Sequence, residues 1–314
     1  MDFIVKNQRM QRRFIDYLVI SLKGIAMGAA DAVPGVSGGT IAFISGIYEE
    51  LISTISNVNI SLFKTLFQKG FKAFWNQLNG NFLLALLSGI IISFVSFMRL
   101  AKYLLENEPV LIWSFFFGLI IASIYFVGKQ ITKWNIAAYV GLILGAIIAF
   151  YISNLPSLAN NENSLFLFFA GALAICAMIL PGISGSFILV ILGAYKTLSD
   201  ALHDFDIKRI AIFACGAVIG LLSFSHLLKW LFKHYHNFTL AILTGFIFGS
   251  LNKVWPWKET LTWHLNSKGI KTPLLEKSIS PFSYQGDSQL LIAILLMIVG
   301  FLTIFILEKI GSKT

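Results

Sequence analysis

Long apolar runs separated by short polar stretches set the pattern of this chain. Residues 82–98, 110–127, 136–153, 210–225, 238–254 and 289–307 are each apolar for about the 17 to 20 residues that a bilayer crossing needs, and almost no charge interrupts them. The pattern predicts six membrane-spanning helices. Four more apolar arms, 14–30, 35–52, 165–180 and 182–195, are shorter or more polar. They fall into two pairs, each divided by a Pro-Gly step, and arms of this length predict re-entrant helical hairpins over 14–52 and 165–195.

Composition points the same way. Of 314 residues 57% are hydrophobic and 12% charged, with a mean hydropathy of +0.79, so the fold class expected is an all-α polytopic membrane protein. Lys6, Arg9, Arg12 and Arg13 precede the first apolar run much as in a secretory signal. Asp16 and Lys23 interrupt that run and no small-residue cleavage site follows, so the segment reads as retained. The net charge of +9 is scattered through short loops, which suits anionic lipid headgroups and excludes nucleic acid as a partner.

The chain repeats itself. Pro34-Gly35-Val36-Ser37-Gly38 returns 147 residues later as Pro181-Gly182-Ile183-Ser184-Gly185, and the match continues through Gly46 with Gly193 and Tyr48 with Tyr195. A second block returns 127 residues later, pairing Gly89 with Gly216, Lys102 with Lys229 and Gly118 with Gly245. Matched Pro, Gly, Ser and Lys in order indicate duplication. The two units run over 1–155 and 156–314, each a hairpin followed by three spans. Three spans are an odd number, so the second unit enters the membrane from the opposite face and the expected architecture is an inverted repeat. With the N-terminus inside, cytoplasmic segments hold 13 Lys and Arg and outer segments 10, which predicts both termini on the cytoplasmic side and 253–288 as an outer loop.

Chemistry is concentrated at the two breaks. Proline removes a backbone donor and disfavours helix in the preceding residue, so Val33 and Leu180 are expected to end the first arms. Pro34, Gly35, Ser37, Gly38, Gly39 and Thr40 form one loop; Pro181, Gly182, Ser184, Gly185 and Ser186 form the other. Each second arm should start with free N–H groups, capped by Ser37 or Ser184, and a positive dipole end. Together these make an anion site at mid-membrane. A packing role for Pro and Gly is the competing reading.

Asp31, whose repeat partner is Met178, is the candidate for ion coupling, with a helix end at a wet mouth as the alternative. Lys23 either snorkels to the headgroups or reaches the cavity. Glu49 and Glu50 are expected at the membrane surface. Arg99 and Lys102 on one side, with His226 and Lys229 in the equivalent place, suit phosphate reception or simple anchoring. No catalytic residues are identified: a nucleophile–base cluster is missing and no Gly-Lys-Ser/Thr follows the loops. Cys176 and Cys215 lie apart in apolar stretches, and His234 and His236 lack further ligands, so no metal, disulfide or cofactor is expected.

The stretch from Lys23 to Thr40, with Asp31-Ala32-Val33-Pro34-Gly35-Val36-Ser37-Gly38-Gly39 at its centre, then Gly46-Ile47-Tyr48-Glu49-Glu50, resembles the signature of a bacterial membrane family of polyprenyl-phosphate transporters, formerly a domain of unknown function. Leu180-Pro181-Gly182-Ile183-Ser184-Gly185-Ser186 matches it as well. The resemblance implies recycling of undecaprenyl phosphate from the outer to the cytoplasmic leaflet of the inner membrane for cell-wall synthesis. The implied partners are the lipid and the membrane, with a homo-oligomer as a further candidate. A carrier of a small soluble anion and a lipid-phosphate-processing enzyme are the alternatives.

Overall fold

The computed structural model describes residues 12–31, 37–155, 163–265 and 271–311. The first half contains α1 (Phe14–Asp31), α2 (Gly38–Ile44), α3 (Tyr48–Ser56), α4 (Ile60–Leu78), α5 (Gly80–Asn107), α6 (Pro109–Lys129) and α7 (Ile136–Ser153). The second contains α8 (Ser164–Ile179), α9 (Gly185–Ile191), α10 (Tyr195–His203), α11 (Ile207–Gly249), strands β1 (Lys258–Leu265) and β2 (Lys271–Ser278), and α12 (Leu290–Gly311).

Helices α5, α6, α7 and α11 are long and apolar enough to cross a bilayer, and α8 and α12 are shorter apolar helices. Leu291, Leu295, Ile298 and Leu302 on α12, like Ile143 and Ile147 on α7, are exposed. Apolar surface on that scale is stable against lipid, and the chain is a multi-pass helical membrane protein.

The structure corrects the sequence reading in four places. Residues 253–288 were expected as a loop of an all-α chain, yet β1 and β2 pair there as an antiparallel hairpin. Each arm after a Pro-Gly break, read as one helix, is broken again: Gly46 at φ +75° separates α2 from α3, and Gly193 at φ +68° separates α9 from α10. Positive φ is a conformation that glycine adopts without the Cβ penalty, and α9 and α10 meet at 108°. Residues 227–237, expected as a loop between spans, are helical, and the two predicted spans are arms of α11 on either side of non-helical Tyr235 (φ −133°, ψ 46°). Within 56–80, left without an element, Ile60–Leu78 forms α4. Non-helical Gly70 (φ 80°, ψ 175°) kinks it, and on the arm before the kink the exposed Ile60, Phe63 and Phe67 make an apolar stripe at helical spacing, the pattern of a helix lying in the headgroup layer.

Glycines set how closely the helices approach. A Cβ at Gly24 would strike the Leu86 carbonyl where α1 crosses α5, and one at Gly171 the Phe213 carbonyl where α8 crosses α11. Gly89 against Ser21 and Gly216 against Phe168 show the same relation. Each second pair lies at the sequence offsets of 147 and 127 from the first. The remaining spans cross between the halves: α6 packs on α12 through Gly118 and Gly300, and α7 on the second arm of α11 through Gly145 and Gly245. Small residues at crossings let backbones touch, which is the main way helices gain contact in lipid.

Candidate functional site

The second break starts where a proline stops a helix. α8 ends at Ile179, and Leu180 takes φ −66°, ψ 131°, the extended geometry a following proline favours. Gly182 turns next at φ +88°, and a Cβ there would lie 2.8 Å from the Phe246 carbonyl on α11. Conformation and space both demand glycine. In the first half α1 is described as far as Asp31. Val33, Pro34 and Gly35 lie outside the described residues, and the chain resumes at Ser37, the extended N-cap of α2, whose Oγ accepts the Gly39 N–H.

The two breaks touch. Ser37 Oγ–H donates to the Met178 carbonyl at 3.2 Å, with the Leu180 carbonyl 3.4 Å from the same hydroxyl. These oxygens end α8 and have no helical partner of their own. In the other direction the Gly182 N–H donates to Thr40 Oγ1 at 2.9 Å. Gly39 makes the approach feasible, since a Cβ there would lie 2.7 Å from the Ile179 carbonyl. Ser37, Gly38, Gly39, Thr40, Pro181, Gly182 and Gly185 are buried at this junction, Ser184 is half-buried and Ser186 exposed. The structure thus brings Ser37, Gly39 and Thr40 of the first motif against Gly182 and the end of α8 in the second.

Asp31 has a specific place here. Its Oδ1 accepts the Gly38 N–H at 2.7 Å, so a carboxylate covers the first amide of α2 that the sequence reserved for an incoming anion. The expected capping role of Ser184 is not seen: α9 has no side-chain cap bond, and Ser184 Oγ lies 2.8 Å from Ser186 Oγ instead. Two hydroxyls two residues apart satisfy each other, leaving the second loop's hydroxyls unengaged with its own helix.

Other charged positions settle around the second breaks. The half-buried Lys23 donates from Nζ to the Ser45 carbonyl at 2.8 Å. The turn at Gly46 leaves that carbonyl outside the helical ladder, and the match of Gly46 with Gly193 was the available signal. Glu50 is largely buried within the protein and accepts from Arg12 Nη1 and Nη2 at 2.7 Å each, with Asn79 Nδ2 at 2.9 Å. Glu49 pairs with His236 Nε2 at 3.1 Å, tying α3 to the bend of α11. Lys229 Nζ donates to Asn57 Oδ1 at 3.2 Å. Arg99 and Lys102 lie on α5, and their side chains are outside the described set. Among the described residues no three His, Cys, Asp or Glu side chains gather as metal ligands.

Comparison with known proteins adds independent findings. The profile of the family described as undecaprenyl phosphate translocase-like matches residues 27–272. A polyprenyl-phosphate transporter of Vibrio cholerae serotype O1 is 46% identical over 97% of this chain and 100% of its own. A polyprenyl-phosphate transporter of Staphylococcus aureus is 32% identical over 75% of this chain and 85% of its own. No solved structure matches.

Proposed function

The chain belongs to the undecaprenyl phosphate translocase-like family, and from that premise we propose that it flips undecaprenyl phosphate from the outer to the cytoplasmic leaflet of the bacterial inner membrane. In this reading it returns the lipid carrier for cell-wall polysaccharide synthesis. Its relatives are named as transporters, and the chain is a transporter, not an enzyme. Both termini lie in the cytoplasm, so the hairpin of β1 and β2 faces outward.

One observation carries the site: the two Pro-Gly breaks hydrogen-bond each other directly, through Ser37 to Met178 and Gly182 to Thr40. Broken helices bare backbone groups that lipid cannot satisfy, and such breaks persist where protein or a polar cavity satisfies them. The phosphate binds between the loops, to Ser37, Gly38, Gly39 and Thr40 of the first motif and to Ser184, Gly185 and Ser186 of the second, where Pro181 and Gly182 shape the turn; Pro34 and Gly35 of the first motif lie outside the described residues. Asp31 now covers the Gly38 amide, so the phosphate must displace a resident carboxylate. Ion coupling at Asp31 would follow from that competition. Arg99 and Lys102 draw the headgroup from the outer leaflet, while the prenyl chain stays in lipid beside the bundle.

The two halves act as an inverted repeat. Support comes from glycine contacts that recur at the offsets of the sequence repeat, Gly24 to Leu86 and Gly171 to Phe213. Because α6 packs on α12 and α7 on α11, rocking one sequence half as a body would break close crossings. The short broken arms are the easier parts to move. Proteoliposomes with labelled undecaprenyl phosphate test the proposal: Ser37→Ala/Ser184→Ala and Arg99→Ala proteins should flip it more than tenfold more slowly. Wild-type rates in both would sink the site.

A further inference from the structure

Two lysines are packed among aromatic rings at the base of the hairpin. Lys258, the first residue of β1, has a side chain only 7% exposed, and its Nζ lies 3.5 Å from Glu276 Oε2 on β2. That nitrogen sits 3.8 Å from the centre of the Trp113 ring on α6. Among the described residues it has no hydrogen-bond partner, the carboxylate being too distant for a good one. Lys253 Nζ, in the 3-10 turn Ser250–Val254, rests 4.2 Å from the centre of the Phe187 ring. Phe187 directly follows Ser184-Gly185-Ser186 on α9.

The charges do not balance. Lys253 and Lys258 both feel the field of Glu276, and Lys258 is opposed by Lys253, so two cations share one carboxylate. An ammonium has three donors, and burying it without acceptors is costly. Ring faces offset that cost weakly. A dianion between the lysines would supply the missing acceptors and charge, and a phosphate monoester carries close to two negative charges at neutral pH.

We propose that Lys253 and Lys258 form a receiving site for a phosphate monoester on the hairpin side of the protein, one step before the Ser184-Gly185-Ser186 loop. Its identification with the lipid headgroup rests on the translocase reading; the site itself rests on the buried cations. Glu276 is the internal competitor that the phosphate displaces. The headgroup passes from the aromatic-walled site to α9 along the contact of Lys253 with Phe187.

Binding to the full chain in detergent is read by tryptophan fluorescence, since Trp113 underlies Lys258. The probes are a short-chain polyprenyl phosphate, the matching neutral polyprenol and inorganic phosphate. Wild type should bind the phosphorylated lipid and ignore the polyprenol. Lys253→Met and Lys258→Met should each weaken binding about tenfold, as loss of a charged hydrogen bond does. Glu276→Gln should tighten it several-fold, which a variant that simply unfolds would not do. Inorganic phosphate bound in a lysine-dependent manner assigns the site to free phosphate, and lipid binding alone assigns it to the headgroup; either upholds a phosphate site. Polyprenyl phosphate that binds the Lys253→Met/Lys258→Met protein as tightly as wild type overturns the receiving site and leaves the translocase reading standing. Wild type that binds neither phosphate overturns the receiving site, and if it also fails to flip the lipid in proteoliposomes, the translocase reading falls with it.

Discussion

Thr40 Oγ1 accepts the Gly182 amide hydrogen at 2.9 Å, joining a buried threonine of the first repeat to the turn of the second. Thr40→Val keeps the shape and removes the acceptor, which leaves a buried N–H unsatisfied at a cost of about 1–3 kcal/mol. The variant should melt at a lower temperature in detergent. In proteoliposomes it should also flip polyprenyl phosphate more slowly, because the two loops lose their register. Wild-type values for both would show that the bond between the breaks is incidental.

Glycines at crossings and at turns should respond differently. Alanine at Gly46 meets no atom within 4 Å and costs only the strain of positive φ, about 1–2 kcal/mol. Alanine at Gly89 or Gly216 collides with a backbone carbonyl, that of Ser21 or Phe168, and forces two helices apart, with a cost of about 1–3 kcal/mol or more. Thermal unfolding should therefore rank Gly46→Ala mildest and place Gly89→Ala and Gly216→Ala close together. A large difference between those two would argue against equivalent crossings in the two halves.

These contrasts show what the sequence could and could not convey. The breaks were legible because proline and glycine act locally: Leu180 is extended before Pro181, and Ser37 caps α2. The bond between the breaks was not, since periodicity carries no information on which loops meet across 142 residues. Gly46 and Gly193 were seen as matched positions, but their positive φ needs the backbone. The hairpin was hidden in a stretch read as an extramembrane loop because, among the described residues, strands β1 and β2 pair only with each other and join no larger sheet. Lys23 was undecided between headgroups and cavity because its true acceptor, the Ser45 carbonyl, exists only once α2 turns.

Asp31→Asn separates charge from geometry. The amide oxygen can still accept the Gly38 N–H, so the fold and its thermal stability should stay near wild type. The resident negative charge is gone, and the phosphate no longer competes with it at the start of α2. Polyprenyl phosphate should bind several-fold more tightly, while transport should lose any response to an imposed proton or sodium gradient. Binding measured at equilibrium and flipping measured with and without a gradient check the two parts separately. Gradient-driven transport by Asp31→Asn at the wild-type level would remove Asp31 from coupling.

Lys258 makes stability depend on pH in a direction that can be worked out. Burial pushes its ammonium down to about 8 from an ordinary 10.5, with Lys253 adding to the shift and Glu276 opposing it. Between these values the unfolded chain binds the proton that the folded chain has released, so the contribution of Lys258 to stability rises with pH across this window. Below about 8 both states carry the charge, and the full penalty of burying it is present. Wild-type protein in detergent should accordingly gain thermal stability as pH is raised from 8 toward 10. Lys258→Met should be the more stable protein at pH 7 and show a shallower rise. Saturating polyprenyl phosphate should flatten the wild-type rise too, because an anion beside Lys258 favours its charged form. A wild-type slope identical to that of Lys258→Met would mean that the buried ammonium is not the group that titrates.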